Sequence, residues 1–172
     1  MSKKLKIRLL LISVITVLVA AGCLVFLYFH YHNSSPISVS IQKQLSFIPF
    51  VTAPTSFDPV GQPYSIKYDK SAQVLSYDIK YAGQQEVVSQ QATPQSFNDI
   101  PQVYSQLIAK MQGQSSFSTP AGTVNITYPT EYNGTQTAVM NSEGVLMFVR
   151  PTKNMSDSQW QKLFDQFTTL HE

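Results

Sequence analysis

"TAVMNSEGVLMFV", residues 137–149, is the stretch whose reading decides the fold. Asn141–Gly144 is a polar turn signal containing a glycine, and apolar runs flank it, so the segment reads as a β-hairpin. Its second arm, Val145–Val149, is apolar on both faces, which places it centrally in a sheet. Working upstream, "TVNITY" (123–128) alternates Val124, Ile126 and Tyr128. "YSIKY" (64–68) and "VLSYDIKY" (74–81) alternate in the same way, and the link "DKSAQ" supplies a turn between them. Period two with aromatic and β-branched residues marks half-buried strands. "QQEVVSQQ" (84–91) makes a further strand.

Two segments change period. In "NDIPQVYSQLIAKM" (98–111), Ile100, Val103, Tyr104, Leu107 and Met111 share one helical face. Asp99 is positioned to cap it, Pro101 sits in the first turn, and Gly113 ends it. In "SDSQWQKLFDQFTTL" (156–170), Ser156 and Gln159 have capping-box spacing. Trp160, Leu163, Phe164, Phe167 and Leu170 form the buried stripe. The expected fold is α+β: an antiparallel sheet of about six strands in βββα-βββα order, both helices packed on one face. The repeated order hints at an internal duplication.

Ahead of this lies a different kind of sequence. Residues 1–8, MSKKLKIR, carry Lys3, Lys4, Lys6 and Arg8 and no acid. Residues 9–29, from Leu9 through Val19 and Cys23 to Phe29, hold no charge and no proline. As a helix they would span roughly 31 Å, the thickness of a bilayer core. The cations keep the N-terminus cytoplasmic, so a single-pass anchor presents the remainder outside the cell membrane. "AAGC" (20–23) resembles a lipoprotein cleavage box, but the apolar run continues for six residues beyond Cys23. Cys23 therefore reads as a helix residue, with lipidation at Cys23 as the alternative. Residues 30–63 form a spacer and a proline-punctuated lead-in, and residues 64–172 the extracytoplasmic domain. Phe47, Ile48, Phe50 and Val51 of the lead-in are expected to pack on that domain.

"FIPFVTAP" (47–54), the strand pair at 137–149 and the closing "MSDSQWQKLFDQF" (155–167) resemble membrane-anchored extracytoplasmic domains of bacterial anti-sigma-type and small envelope proteins. MSKKLKIR is far too short to bind a sigma factor. The resemblance implies a sensory or structural domain without catalysis.

Without the four N-terminal cations, eight basic and ten acidic residues remain. There is no basic patch to follow a phosphate backbone, so nucleic acid is not an expected partner. The expected partners are the membrane and an envelope protein or polymer. Residues 33–172 contain no cysteine, so the outer domain relies on packing. "SIQK" (40–43) matches a Ser-x-x-Lys pattern, but its companion motifs are absent and the chain is short for that fold. His30 and His32 could bind a metal weakly but read better as interfacial anchors, His171 reads as solvated, and no glycine-rich phosphate loop exists. Asp78, between Lys67 and Lys80, reads as cross-strand charge pairing. The tyrosines at 64, 68, 77, 81, 128 and 132 read as sheet packing with wet hydroxyls. No cofactor, metal or catalytic residue is implied. The sequence reads as a non-enzymatic, membrane-anchored domain for binding, sensing or assembly. A lipid or apolar-ligand carrier is the alternative, and a wall-acting enzyme the less favoured one. The enzyme would need a polar cleft holding a carboxylate with a strongly shifted pKa.

Overall fold

The computed structural model of the protein describes residues 35–52, 60–130 and 134–170. The expected span, with Leu9, Val19, Cys23 and Phe29, lies outside the described residues, as do the four cations before it. Among the described residues no helix is long and apolar enough to cross a membrane.

Residues 36–172 form one compact unit. Its elements in chain order are α1 (Val39–Gln42), β1 (Phe50–Thr52), β2 (Tyr64–Asp69), β3 (Val74–Tyr81) and β4 (Gln84–Ala92). Then come α2 (Gln95–Asp99), α3 (Pro101–Lys110), β5 (Gly113–Thr119) and β6 (Gly122–Thr127). The chain closes with β7 (Thr137–Ser142), β8 (Val145–Pro151), α4 (Asp157–Phe164) and β9 (Phe167–Thr169). β2 to β8 build a seven-stranded sheet in the order β2-β3-β4-β8-β7-β6-β5. Every neighbouring pair in it is antiparallel. Two meanders thus meet at β4 and β8, and β8 is the central strand, as its two apolar faces require.

The hairpins follow from local chemistry. Ser142 pairs with Val145 across Glu143 and Gly144, whose φ values of 51° and 74° are those of a type I′ turn. In the β2–β3 turn Asp69 accepts hydrogen bonds from Ser71 N, Ser71 Oγ and Ala72 N. At Gly122 a side chain would bring Cβ within 2.8 Å of Ser142 Cβ, so the facing strand excludes one.

Alternation sorts the sheet into two faces. One carries Leu75, Tyr77, Ile79, Val88, Val124, Ile126, Met140, Met147 and Val149 into the main core. There they meet Trp160, Leu163 and Phe164 of α4, together with Ile37, Phe50 and Phe167. Phe50 and Val51 of the lead-in are buried as expected, Phe47 is half-buried, and Ile48 is exposed. Val139 and Leu146 are also buried, but on the opposite face, where α3 lies: Asn125, in register with Val139, donates to Tyr104 Oη. The two helices therefore cover opposite faces, which corrects the expectation that both sit on one. The reason is in β8: a strand apolar on both sides needs cover on both sides. A two-fold relating the halves through antiparallel β4 and β8 would put both helices on the same face, so the arrangement is not a symmetric duplication.

The C-terminal helix is shorter than its periodicity suggests. The capping box forms: Ser156 N donates to Gln159 Oε1 at 2.9 Å, and Gln159 N to Ser156 Oγ at 3.4 Å. The helix then stops at Phe164. Phe167–Thr169 leave it as β9 and pair antiparallel with β1 in a separate two-stranded ribbon. Phe167 stays buried, 5.3 Å from the Phe164 ring. Burial is satisfied in either conformation, whereas the β1 backbone needs a partner. The first helical segment is also interrupted. Ile100, at φ −135° and ψ 87°, separates α2 from α3, so Asp99 caps nothing and Ile100 is exposed.

Trp160 is fully buried, and its Nε1 donates to Gln136 Oε1 at 3.1 Å. Trp160→Ala and Phe164→Ala should each cost about 3–5 kcal/mol, as expected for truncating a buried aromatic. Urea unfolding followed by circular dichroism measures this. Ser40→Ala, on exposed α1, should leave the midpoint unchanged.

Candidate functional site

A recess lies on the face of the sheet opposite the main core. After β4 the chain turns through Thr93, whose N–H bonds Gly144 O and whose hydroxyl donates to Asn141 Oδ1 at 2.6 Å. α3 then crosses the sheet and is tied at its far end, where Tyr128 N donates to Met111 O at 3.0 Å. Midway, Tyr104 Oη accepts from Asn125. Burial raises the Tyr104 pKa and the Asn125 bond partly offsets it, so the hydroxyl remains protonated. None of the side chains of α3 is fully buried. Because the helix stands off the sheet, it leaves a cleft of about 330 Å³.

Register builds the floor. Val87 pairs with Arg150 and Ser89 with Phe148, so these four side chains form a square on β4 and β8. Leu107, Lys110 and Met111 of α3 form the roof, and Pro129 and Thr130 close one side. The lining thus combines apolar surface, two hydroxyls and two cations, with no carboxylate, imidazole or thiol among the described residues. Such a set can hold an anion beside an apolar group. The volume falls at the lower end of the roughly 300–1,000 Å³ typical of small-molecule sites.

The residues weighed from sequence lie elsewhere. Ser40 Oγ is 3.0 Å from Ser38 Oγ, so its hydroxyl partner is Ser38, not Lys43. Asp78 faces Tyr64 and Val87 in register while Lys67 faces Ser76, and the Lys67–Asp78 pair is not formed. His30, His32, His171 and Tyr132 lie outside the described residues. Tyr77 departs from the wet-hydroxyl expectation. It is buried, donates to Phe50 O at 2.8 Å and accepts from Gln90 Nε2 at 2.9 Å.

Two features have no counterpart in the sequence reading. One is a set of buried glutamines. Gln90 Oε1 accepts from Phe50 N and its Nε2 donates to Phe50 O, both at 2.8 Å, so the side chain bonds Phe50 as a neighbouring strand would. Gln136 Oε1 accepts from Met155 N and from Trp160. The other is Glu86, fully buried on the core face of β4, with both carboxylate oxygens lacking a hydrogen-bond partner. Burial pushes its pKa up to about 8; the Gln84 amide lies near enough to offset this slightly without reaching hydrogen-bond geometry. A shifted carboxylate and a cleft with polar groups both exist, then, but on opposite faces of one strand: Glu86 points to the core and Val87 to the cleft.

Comparison with known proteins finds no matching family model, no matching curated protein and no matching solved structure.

The folded pKa of Glu86 lies above its unfolded value, so the folded state keeps a proton that the unfolded chain releases. The contribution of Glu86 to stability is then greatest at acid pH and falls as pH rises toward about 8. From about pH 5 to about pH 8 the loss should be on the order of 3 kcal/mol. Glu86→Gln should remove most of that slope, and urea midpoints across pH for both proteins measure it.

Proposed function

We propose that the protein is a non-catalytic binding protein of the cell envelope, tethered through residues 9–29. Its ligand is a small amphiphile with an apolar body and an anionic group, held in the cleft between α3 and the sheet. The lining of that cleft carries the reading: Val87, Leu107, Met111 and Phe148 offer an apolar bed, with Lys110 and Arg150 set into it. The apolar atoms favour the body of the ligand through lost water contact. The cations favour its charged end through charge-assisted hydrogen bonds. The carrier reading draws support from the same cleft, since a tethered domain that holds an amphiphile is suited to receiving one from a membrane or delivering it there. The resemblance to extracytoplasmic sensory and structural domains agrees with a binding role.

Hexanoate and hexanol, both water-soluble, separate the two contributions. Calorimetric titration of the full chain should show hexanoate binding more tightly than hexanol. Lys110→Glu should weaken hexanoate by about tenfold, the value of one charge-assisted bond, while leaving hexanol unaffected. Equal affinity for both ligands, or no change in Lys110→Glu, would overturn the reading. The tether has its own test. Protein extracted from membranes should have an intact mass that includes MSKKLKIR, whereas a diacylated species beginning at Cys23 would make the anchor a lipid.

A further inference from the structure

The two edges of the sheet are built differently. At one edge, β2 follows Pro63, carries a register shift between Tyr64 and Lys67, and has Ser65 in the left-handed region at φ 53°. It also presents Lys67 and Asp69 to solvent. Bulges, prolines and charges are the devices by which sheets keep an edge strand from pairing further. The opposite edge, β5, is flanked by a proline too, Pro120, but has none of them between Ser115 and Thr119. Its sequence is GQSSFST, without charge or proline, and its one irregularity lies between Gly113 and Ser115. From Ser115 to Thr119 it runs in unbroken register with β6, and among the described residues its other side has no strand beside it.

We infer that the β5 edge pairs antiparallel with the β5 edge of a second copy of this chain, continuing the sheet across a two-fold axis. A partner with a different sequence would be selected by charges or pockets along the edge, and β5 carries no charge to select one. Self-pairing needs only that like residues tolerate one another, and uncharged serines, glutamine and threonine place no like charges across the seam. Phe117 adds a gain specific to this arrangement. It is half-buried on the core face, edge-on to Phe164 at 6.3 Å. An axis perpendicular to the sheet keeps faces matched, so each copy extends the apolar layer beside the other's Phe117. The same symmetry makes the register testable. Opposed residues in an antiparallel pair share a face, so the axis must set one residue of β5 against its own copy. One strand edge is a small interface, so the dimer should form and dissociate with concentration.

Sedimentation of the full chain in non-ionic detergent should show a monomer–dimer equilibrium. The double variant Ser116→Lys/Ser118→Lys should weaken it at least tenfold. Gln85→Lys, exposed near the start of β4, should leave it unchanged. Matching circular dichroism would establish that both variants are folded. In a Cys23→Ser background, single cysteines at Gln114, Ser115, Ser116 and Ser118, and Ser116→Cys with Ser118→Cys together, should yield a disulfide-linked dimer in at least one case. A chain that stays monomeric throughout the micromolar range overturns the inference. So does a dimer that the two lysines leave intact and no β5 cysteine crosslinks.

Discussion

The antiparallel pairing of β4 with β8 is the interaction on which the rest of the unit depends. It runs in unbroken register from Glu86 against Pro151 to Ala92 against Val145. No hairpin makes it: every other pair in the seven-stranded sheet joins strands consecutive in the chain, whereas this one joins the two meanders. Pairing so distant in sequence carries a loop-closure cost that local hairpins avoid. What compensates is burial on both sides. Val145, Met147 and Val149 enter the main core, and Leu146 is buried on the other face. With both faces apolar, β8 cannot lie at an edge or leave one face to water. Helices must cover both faces, and the cleft exists because α3 covers the second face less closely than α4 covers the first.

The lead-in segment is held by a different physical device. Phe50–Thr52 pair with β9 and have no strand of the large sheet beside them. Their polar groups are nonetheless buried, and a buried unpaired amide is expensive. Gln90 resolves this by offering one acceptor and one donor to the same residue, while Tyr77 bonds the same carbonyl. Gln136 does comparable work at the start of α4, joining Met155 N–H and the Trp160 indole at a single oxygen. A neutral amide can do this because it presents donor and acceptor together without the desolvation cost of a charge. Glu86 shows the contrast. A carboxylate at a similar depth, without partners, is favoured only in its protonated form.

Much of this was legible in the chain. The six segments read as strands are strands, the Glu143–Gly144 turn closes the expected hairpin, Ser156 and Gln159 cap the expected helix, and Trp160 is buried. The central position of Val145–Val149 followed from its double-sided apolarity. The same fact implied cover on both faces, and Val139, Leu146 and Phe148 were the visible signal that helices on one face would not suffice. Other features left no periodic trace. β5 has a single apolar residue, Phe117, because an edge strand packs one side chain where a central one packs several. β1 and β9 are three residues each, too short for any period to register.

What the sequence determined by itself is which side chains leave water, since hydrophobic period reports burial directly. It could not determine which backbone meets which. The stripe from Trp160 to Phe167 is equally buried whether residues 165–169 coil or extend, and only pairing with the backbone of Phe50–Thr52, more than a hundred residues earlier, draws them into a strand. Glu86 likewise sits beside Val87 and Val88 in a run that reads the same in either phase. Its descent into the core is set by the register with Ile79 and Pro151. Hydrogen-bond partners, the protonation of a buried acid and the gap beneath α3 are properties of distant segments brought together. A linear pattern contains no distance between them, so only the tertiary structure decides them.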